Sequence, residues 1–332
     1  MGVRLRKDEV AFRCNLVTAD GNCLVDYSAG HISTKEAKVL IDFLNRRLKR
    51  KGIKFYAGVS YRHIAVVNKS KGIFSECDLK SIKCNAPHDV VNMPLDKVFP
   101  GGKGNEYLRE LMCESMELLA DHEINEVRRQ LGENPGNMIW LWGQGIMPDL
   151  PPFGIKGNII SAVDVVKGIG ICAGLSVINV PGATGYFDTD YEAKARCAID
   201  SLKENDFVLV HVEAPDEAGH TGNVGAKISS IEDFDKKIVG PVLSHIREMG
   251  DNRVCVLPDH GTPIDVKTHV YDMVPFAICG KLTLCLSACG FDEESAKETG
   301  TRISSGCELM KHFIISPNPS FPKRGMDKDF PL

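Results

Sequence analysis

Apolar and polar positions alternate along Val10–Thr18 (VAFRCNLVT), and a second short apolar run stands at Ile64–Val67 (IAVV). A period of two predicts strands with one covered face. Elsewhere in this part the spacing lengthens to three and four. Residues 33–50 carry apolar side chains at helical intervals between Ser33 and Gly52, and residues 106–131 do the same. The turn-rich GENPGN (Gly132–Asn137) then closes the second helix and predicts a domain boundary, with one domain over 1–135 and another over 136–332.

Beyond that turn the rhythm is regular. Apolar runs at Met138–Trp142, Asn158–Val163, Leu175–Val180, Asp206–Val212, Arg253–Leu257 and Val274–Cys279 predict strands. Amphipathic stretches at Asp188–Glu204, Ala226–Gly250 and Glu293–Gly300 predict the helices between them. Buried strands alternating with helices imply an α/β domain built on a largely parallel sheet with both faces covered. The first part reads as a smaller α+β domain. In parallel sheets, sites form beyond the carboxyl ends of the strands.

Composition narrows the classes little. The chain has 332 residues, 43% hydrophobic and 25% charged, with a formal net charge of −4. No global basic field argues for nucleic acid. The local run NRRLKRKGIK (Asn45–Lys54) closes a helix, where cations complement the carbonyl end. No apolar run reaches the roughly 18 residues of a membrane helix. The charged N-terminus MGVRLRKDEV lacks the apolar centre of a secretory signal, so a cytoplasmic protein is expected. The twelve cysteines show no Cys-x-x-Cys spacing and read as free thiols. Gly168, Gly170 and Gly174 miss the dinucleotide fingerprint by one position.

The chemistry gathers at strand ends. The run FVLVHV leads into Glu213, Asp216 and His220; RVCVL leads into Asp259 and His260; His269 stands just before VPFAIC. A lone loop Asp or His is ordinarily solvated or hydrogen-bonded. Acid–imidazole pairs after successive strands are a different matter, because parallel neighbours bring them to one edge. Two Asp and three His suit Zn, Mn, Fe or Co better than Ca. Five ligands exceed one tetrahedral site and point to two ions, an arrangement suited to phosphoryl chemistry.

The segments VHVEAPDEAGHTG, LPDHGTPIDVKTHVYDMVPF and KGNIISAVDVVKGIG resemble the cofactor-independent phosphoglycerate mutases of the archaeal type, members of the alkaline phosphatase superfamily. The likeness extends to VAFRCNLVT, VDYSAGHIS, YRHIAVV, PHDV, NMIWLWGQG and PGATGYFDTDY, nearly the whole chain. It implies an alkaline phosphatase-like core over 136–332 and an inserted substrate-clamp domain over 1–135. It implies two divalent ions (Mn, Mg, Zn or Co), one on Asp216, His220 and His269 and the other on Asp259 and His260. Arg13, His31, Arg62, His63 and Lys156 are nominated by position as the phosphoglycerate clamp. The implied reaction interconverts 3-phosphoglycerate and 2-phosphoglycerate through a phosphoserine, in glycolysis and gluconeogenesis.

The same resemblance implies a departure. Family members carry a further segment before the part that resembles MGVRLRKDEVAFRCN, and it holds the first core strand, an Asp ligand and the nucleophilic Ser. The expectation is therefore a truncated, inactive chain, or one that works with a complementing N-terminal segment. A phosphatase or phosphotransferase of the same superfamily, or a catalytically dead binding protein, are the rival readings.

Overall fold

A computed structural model describes residues 1–49, 52–69, 76–151, 154–250, 252–281, 283 and 290–314. It divides into two compact units, Met1–Asp149 and Leu150–Leu332.

The first unit runs β1 (Glu9–Asp20), β2 (Cys23–Asp26), α1 (Thr34–Arg47), β3 (Ile53–Tyr56), β4 (Arg62–Asn68), α2 (Glu76–Ser81), α3 (Leu95–Val98), α4 (Glu106–Leu119), α5 (Glu123–Gln130) and β5 (Met138–Ile146). Strand β1 is its spine. It pairs antiparallel with β4, with β5 and, at its end, with β2, while β3 closes the sheet on β4. Phe12, Cys14 and Leu16 of β1 are fully buried with Leu40, Ile41 and Leu44 of α1 and Leu108, Leu111 and Met112 of α4. Each such side chain contributes roughly 1.5–3 kcal/mol by leaving water. Helix α1 starts where expected: Ser33 and Glu36 form a reciprocal capping box.

Two expectations need correction here. The boundary at 135 is not where the first unit ends, because Met138–Ile146 is a strand of its sheet, paired with Val10–Val17. The turn at 132–137 closes a helix, and the chain then returns to β1. The helix expected over 106–131 is two helices. His122 adopts extended angles (φ −70, ψ 134), and its ring accepts the Ile124 N–H to cap α5.

The second unit runs β6 (Gly157–Ile160), α6 (Asp164–Cys172), β7 (Ser176–Ile178), α7 (Tyr191–Leu202), β8 (Phe207–Val210), α8 (Ala214–Thr221), α9 (Val224–Phe234), α10 (Gly240–Ile246), β9 (Arg253–Val256), β10 (Ala277–Gly280), α11 (Glu293–Glu298) and α12 (Gly306–Phe313). Strand β6 lies between β7 and β8, all parallel, with Ile159 opposite Val177 and Leu209. Ile160 and Ala198 of α7 are buried together beneath this sheet edge. Strands β9 and β10 pair antiparallel. Strand β10 begins at Ala277, after Pro275, which has no N–H for a ladder. The long helix expected over 226–250 is interrupted by a π turn at Asp235–Val239, ahead of Pro241, whose missing N–H removes one helical bond. The whole is the mixed α/β class expected, with a parallel sheet and helices in the second unit and an α+β first unit. No described helix is long and apolar enough to cross a membrane. The nine cysteines whose side chains are described are all free.

Candidate metal centre

The parallel sheet delivers the site. His211 N still donates to Ile160 O at 2.8 Å, so β8 stays in register until the chain turns at Glu213. Pro215 in the first turn starts α8, and the left-handed Gly222 (φ 71) ends it. Asp216 and His220, four residues apart, therefore share one helix face. A Cβ at Gly219 would lie 2.4 Å from the Thr262 carbonyl oxygen. Only glycine lets the 259–262 loop pack directly on the helix.

That loop and the one carrying His269 close over Asp216. His220 Nε2 lies 3.2 Å from Asp216 Oδ2, and His269 Nε2 lies 3.4 Å from Oδ1. The two Nε2 atoms are 3.1 Å apart. His260 Nδ1 is 3.9 Å from Asp216 Oδ1, and its ring centroid is 3.7 Å from that of His269. Asp259 Oδ2 approaches His260 Nε2 at 3.3 Å. The Thr262 hydroxyl donates to Asp216 Oδ1. Asp216, His220 and His269 thus converge, His260 stacks on His269, and Asp259 adjoins through His260.

The donor chemistry fits a cation. His220 Nδ1 faces the Lys267 carbonyl at 3.1 Å, and a carbonyl only accepts, so Nδ1 carries the proton. Nε2 then presents a lone pair to a carboxylate and to a second imidazole. Acceptor atoms of Asp216, His220 and His269 converge within 4.8 Å of one another. Such convergence is repulsive unless a positive charge sits among them. Glu213 adds to the crowding: burial, then the nearby Asp216, Glu217 and Asp259, hold its carboxyl above the usual range. One oxygen and two nitrogens at this spacing match the carboxylate–imidazole sets that bind transition-metal ions.

The first unit carries a different surface. The Arg13 guanidinium lies 4.6 Å above the Trp142 ring, and Arg62 lies 4.8 Å above Tyr61 while donating to its hydroxyl. Between them the rings of Trp142, His88, Tyr27 and Tyr61 meet edge to face, and His31 joins at Tyr61. Two guanidiniums are thus held in place over aromatic faces.

A family model described as 2,3-bisphosphoglycerate-independent phosphoglycerate mutase matches residues 1–125. A curated relative of that name from Methanosarcina mazei is 47% identical over 324 residues, covering 95% of this chain and 79% of its own. The chain belongs to the 2,3-bisphosphoglycerate-independent phosphoglycerate mutase family. Members are named as phosphoglycerate mutases, which are isomerases. Among solved structures, a cofactor-independent phosphoglycerate mutase from Thermoplasma acidophilum superposes with TM-score 0.62 at 25% identity, covering 94% of this chain and 77% of its own. A protein from Pyrococcus horikoshii superposes with TM-score 0.71 at 28% identity, covering 90% and 70%.

Two residues nominated for the phosphoglycerate clamp are engaged within their own units. Lys156 precedes β6, at the N-terminal end of the parallel sheet, and its ammonium donates to the Glu204 carbonyl at 2.7 Å. The metal cluster lies past the opposite, C-terminal ends. His63 neighbours Arg62 on β4, and strand alternation turns it inward, where it is 4% exposed. Its Nδ1 accepts the Gly58 N–H at 3.1 Å, and its Nε2 is buried with no hydrogen-bond partner among the described residues.

Burial lowers the His63 pKa from 6.5 to about 4. The unfolded chain therefore takes up this proton first as pH falls. Stability is lost between pH 6.5 and 4, by about 3 kcal/mol in total. His63→Asn keeps an acceptor for Gly58 and removes the titration. Urea midpoints at pH 7 and pH 4.5 should converge in this variant relative to the parent.

Residues missed from the sequence include Tyr27, Tyr61 and Trp142, which only tertiary packing brings together. They also include Ser161, His211 and Lys194 in the second unit. Ser161 Oγ contacts His211 Nδ1 at 3.1 Å, and His211 Nε2 contacts Glu213 Oε2 at 3.3 Å. Lys194 is fully buried and donates to the His211 carbonyl at 3.2 Å. Burial pulls its pKa down to about 8, against the attraction of Glu213.

Proposed function

We propose that this chain is the catalytic and substrate-binding body of a metal-dependent mutase that interconverts 3-phosphoglycerate and 2-phosphoglycerate through a phosphoserine. The observation that carries the reading is the convergence of Asp216, His220 and His269 acceptors within 4.8 Å. These three would hold one divalent ion, and Asp259 and His260 would contribute to a second. Bound divalent ions neutralise the transferring phosphoryl group and favour an ionised serine. The described residues of the cluster are Asp, His and Thr, and the attacking serine is not assigned among them.

The remaining roles belong to fixed side chains. Lys267 holds the His220 ring through its carbonyl, so the metal-facing nitrogen is presented without rearrangement. Thr262 does the same for Asp216. In the first unit, Arg13, Arg62 and His31 would take the phosphate and carboxylate of the glycerate. Their stacking on Trp142 and Tyr61 limits the ordering needed when an anion binds. The reaction would serve glycolysis and gluconeogenesis.

The test is phosphorus NMR of 3-phosphoglycerate with chelator-stripped protein, before and after Mn2+ is restored. With the attacking serine supplied, the expected result is isomer without free phosphate, dependent on added metal. Release of inorganic phosphate without isomer would make the chain a phosphatase of the same metal core. Binding of phosphoglycerate without either product would make it a binding protein.

A further inference from the structure

Behind the metal cluster lies a line of polar side chains that the reading above does not use. It begins in the sheet. Ser161, just past the end of β6, is 3% exposed, and its Oγ accepts the Val163 N–H at 3.0 Å. The same oxygen lies 3.1 Å from His211 Nδ1, across the parallel ladder at the end of β8. The other ring nitrogen lies 3.3 Å from Glu213 Oε2. An ionised carboxylate only accepts, so His211 Nε2 carries the proton and Nδ1 accepts from the Ser161 hydroxyl. The tautomer is thereby set by the carboxylate, and the Ser161 hydroxyl, which also reaches the Val163 carbonyl at 3.4 Å, lies closer to His211 Nδ1. Lys194, fully buried, fixes the His211 carbonyl as well.

A hydroxyl, an imidazole and a carboxylate in series also describe an activated nucleophile. Burial decides against that direction here: the Ser161 oxygen is enclosed and already occupied by the Val163 amide. The outer end of the series is the half-buried Glu213, the N-cap of α8, whose carbonyl accepts the Asp216 N–H at 2.9 Å; its charged neighbours are Asp216, Glu217, Asp259 and His260.

We propose that Ser161 and His211 are positioning residues that hold Glu213 beside the metal cluster, where its carboxylate accepts a hydrogen bond from a water or ligand hydroxyl on the bound ion. This rests on the metal reading of Asp216, His220 and His269. Glu213 then acts on the ion without ligating it, and its orientation depends on His211 and, through it, on the buried Ser161. Outer partners of this kind typically change metal affinity about 10–100-fold.

The test is Mn2+ titration by calorimetry on the full chain, with circular dichroism confirming the fold of each variant. Glu213→Gln should raise the Kd by about 10–100-fold. His211→Asn and Ser161→Ala should raise it less. The decisive measurement is the pair Ser161→Ala with Glu213→Gln: the double variant should bind Mn2+ no worse than Glu213→Gln alone, because the serine acts only through the carboxylate. A merely structural serine would give effects that multiply, and that result would overturn the proposal. So would Glu213→Gln binding like the parent while Asp216→Ala loses the metal. If Asp216→Ala also binds like the parent, the metal reading itself falls and this inference with it.

Discussion

Asp216→Ala should weaken Mn2+ binding by more than about 100-fold, beyond what losing an outer partner costs, or about 3 kcal/mol. Both carboxylate oxygens are engaged, Oδ2 with His220 at 3.2 Å and Oδ1 with His269 at 3.4 Å. His260 Nδ1 is also 3.9 Å from Oδ1, so one side chain bridges α8 and both loops. Without it the cluster offers imidazoles and no central charge. The effect on the metal-free protein should have the opposite sign. Glu213, Glu217 and Asp259 crowd the same region; burial, then Asp216, Glu217 and Asp259, hold the Glu213 carboxyl above its usual range. Removing one of these like charges relieves repulsion, so metal-free Asp216→Ala should melt no lower than the metal-free parent. Thermal unfolding separates the two terms. With Mn2+ at about 100 times Kd, the parent should gain about 2.7 kcal/mol, and Asp216→Ala should gain almost none. A variant that unfolds early without metal would mean that Asp216 serves the fold instead.

That cluster was legible in the sequence because its geometry is local. Asp216 and His220 are four apart on a helix, Asp259 and His260 are adjacent, and strands point each pair toward one edge. Ser161 and His211 were not legible in the same way. They lie 50 residues apart and meet only because β6 and β8 are parallel neighbours in register. The burial of His63 was legible: the alternation that exposes Arg62 turns the next residue inward, and YRH carried that information. The boundary at 135 failed because a turn motif ends an element without saying where the next strand pairs. Met138–Ile146 joins β1, more than a hundred residues earlier in the chain. Local spacing reports helices and strands; partnership across the chain needs the core.

Arg128→Met should destabilise the first unit by about 3 kcal/mol and displace His31 with it. Arg128 is 3% exposed on α5. Its Nη2 donates to the Ala29 carbonyl and its Nε to the Asn134 carbonyl, both at 2.9 Å. Its Nη1 meets Glu36 at 3.1 Å and Glu133 at 2.9 Å. Both glutamates reach solvent, so those ion pairs count for less than a buried pair would. The carbonyl bonds count for more, because methionine fills the space and leaves two acceptors without donors. The turn they hold is strained: Ala29 (φ 49), Gly30 (φ 63) and His31 (φ 51) are consecutive left-handed residues. Non-glycine residues in that region cost about 1–2 kcal/mol each. Asp26 supports the same turn by accepting from Ser28 N and Gly30 N. With Arg128 gone, Ala29 and His31 should relax toward right-handed angles, and the His31 ring should leave Tyr61. Urea denaturation should report the stability loss. In the mutase reading, KM for phosphoglycerate should rise while kcat holds, since the metal cluster lies in the other unit. Ala29→Gly is the control, because it removes the strain of one left-handed residue and keeps the Arg128 bond. It should leave KM unchanged, and a KM that rises equally in both variants would show that turn strain, not Arg128, sets the position of His31.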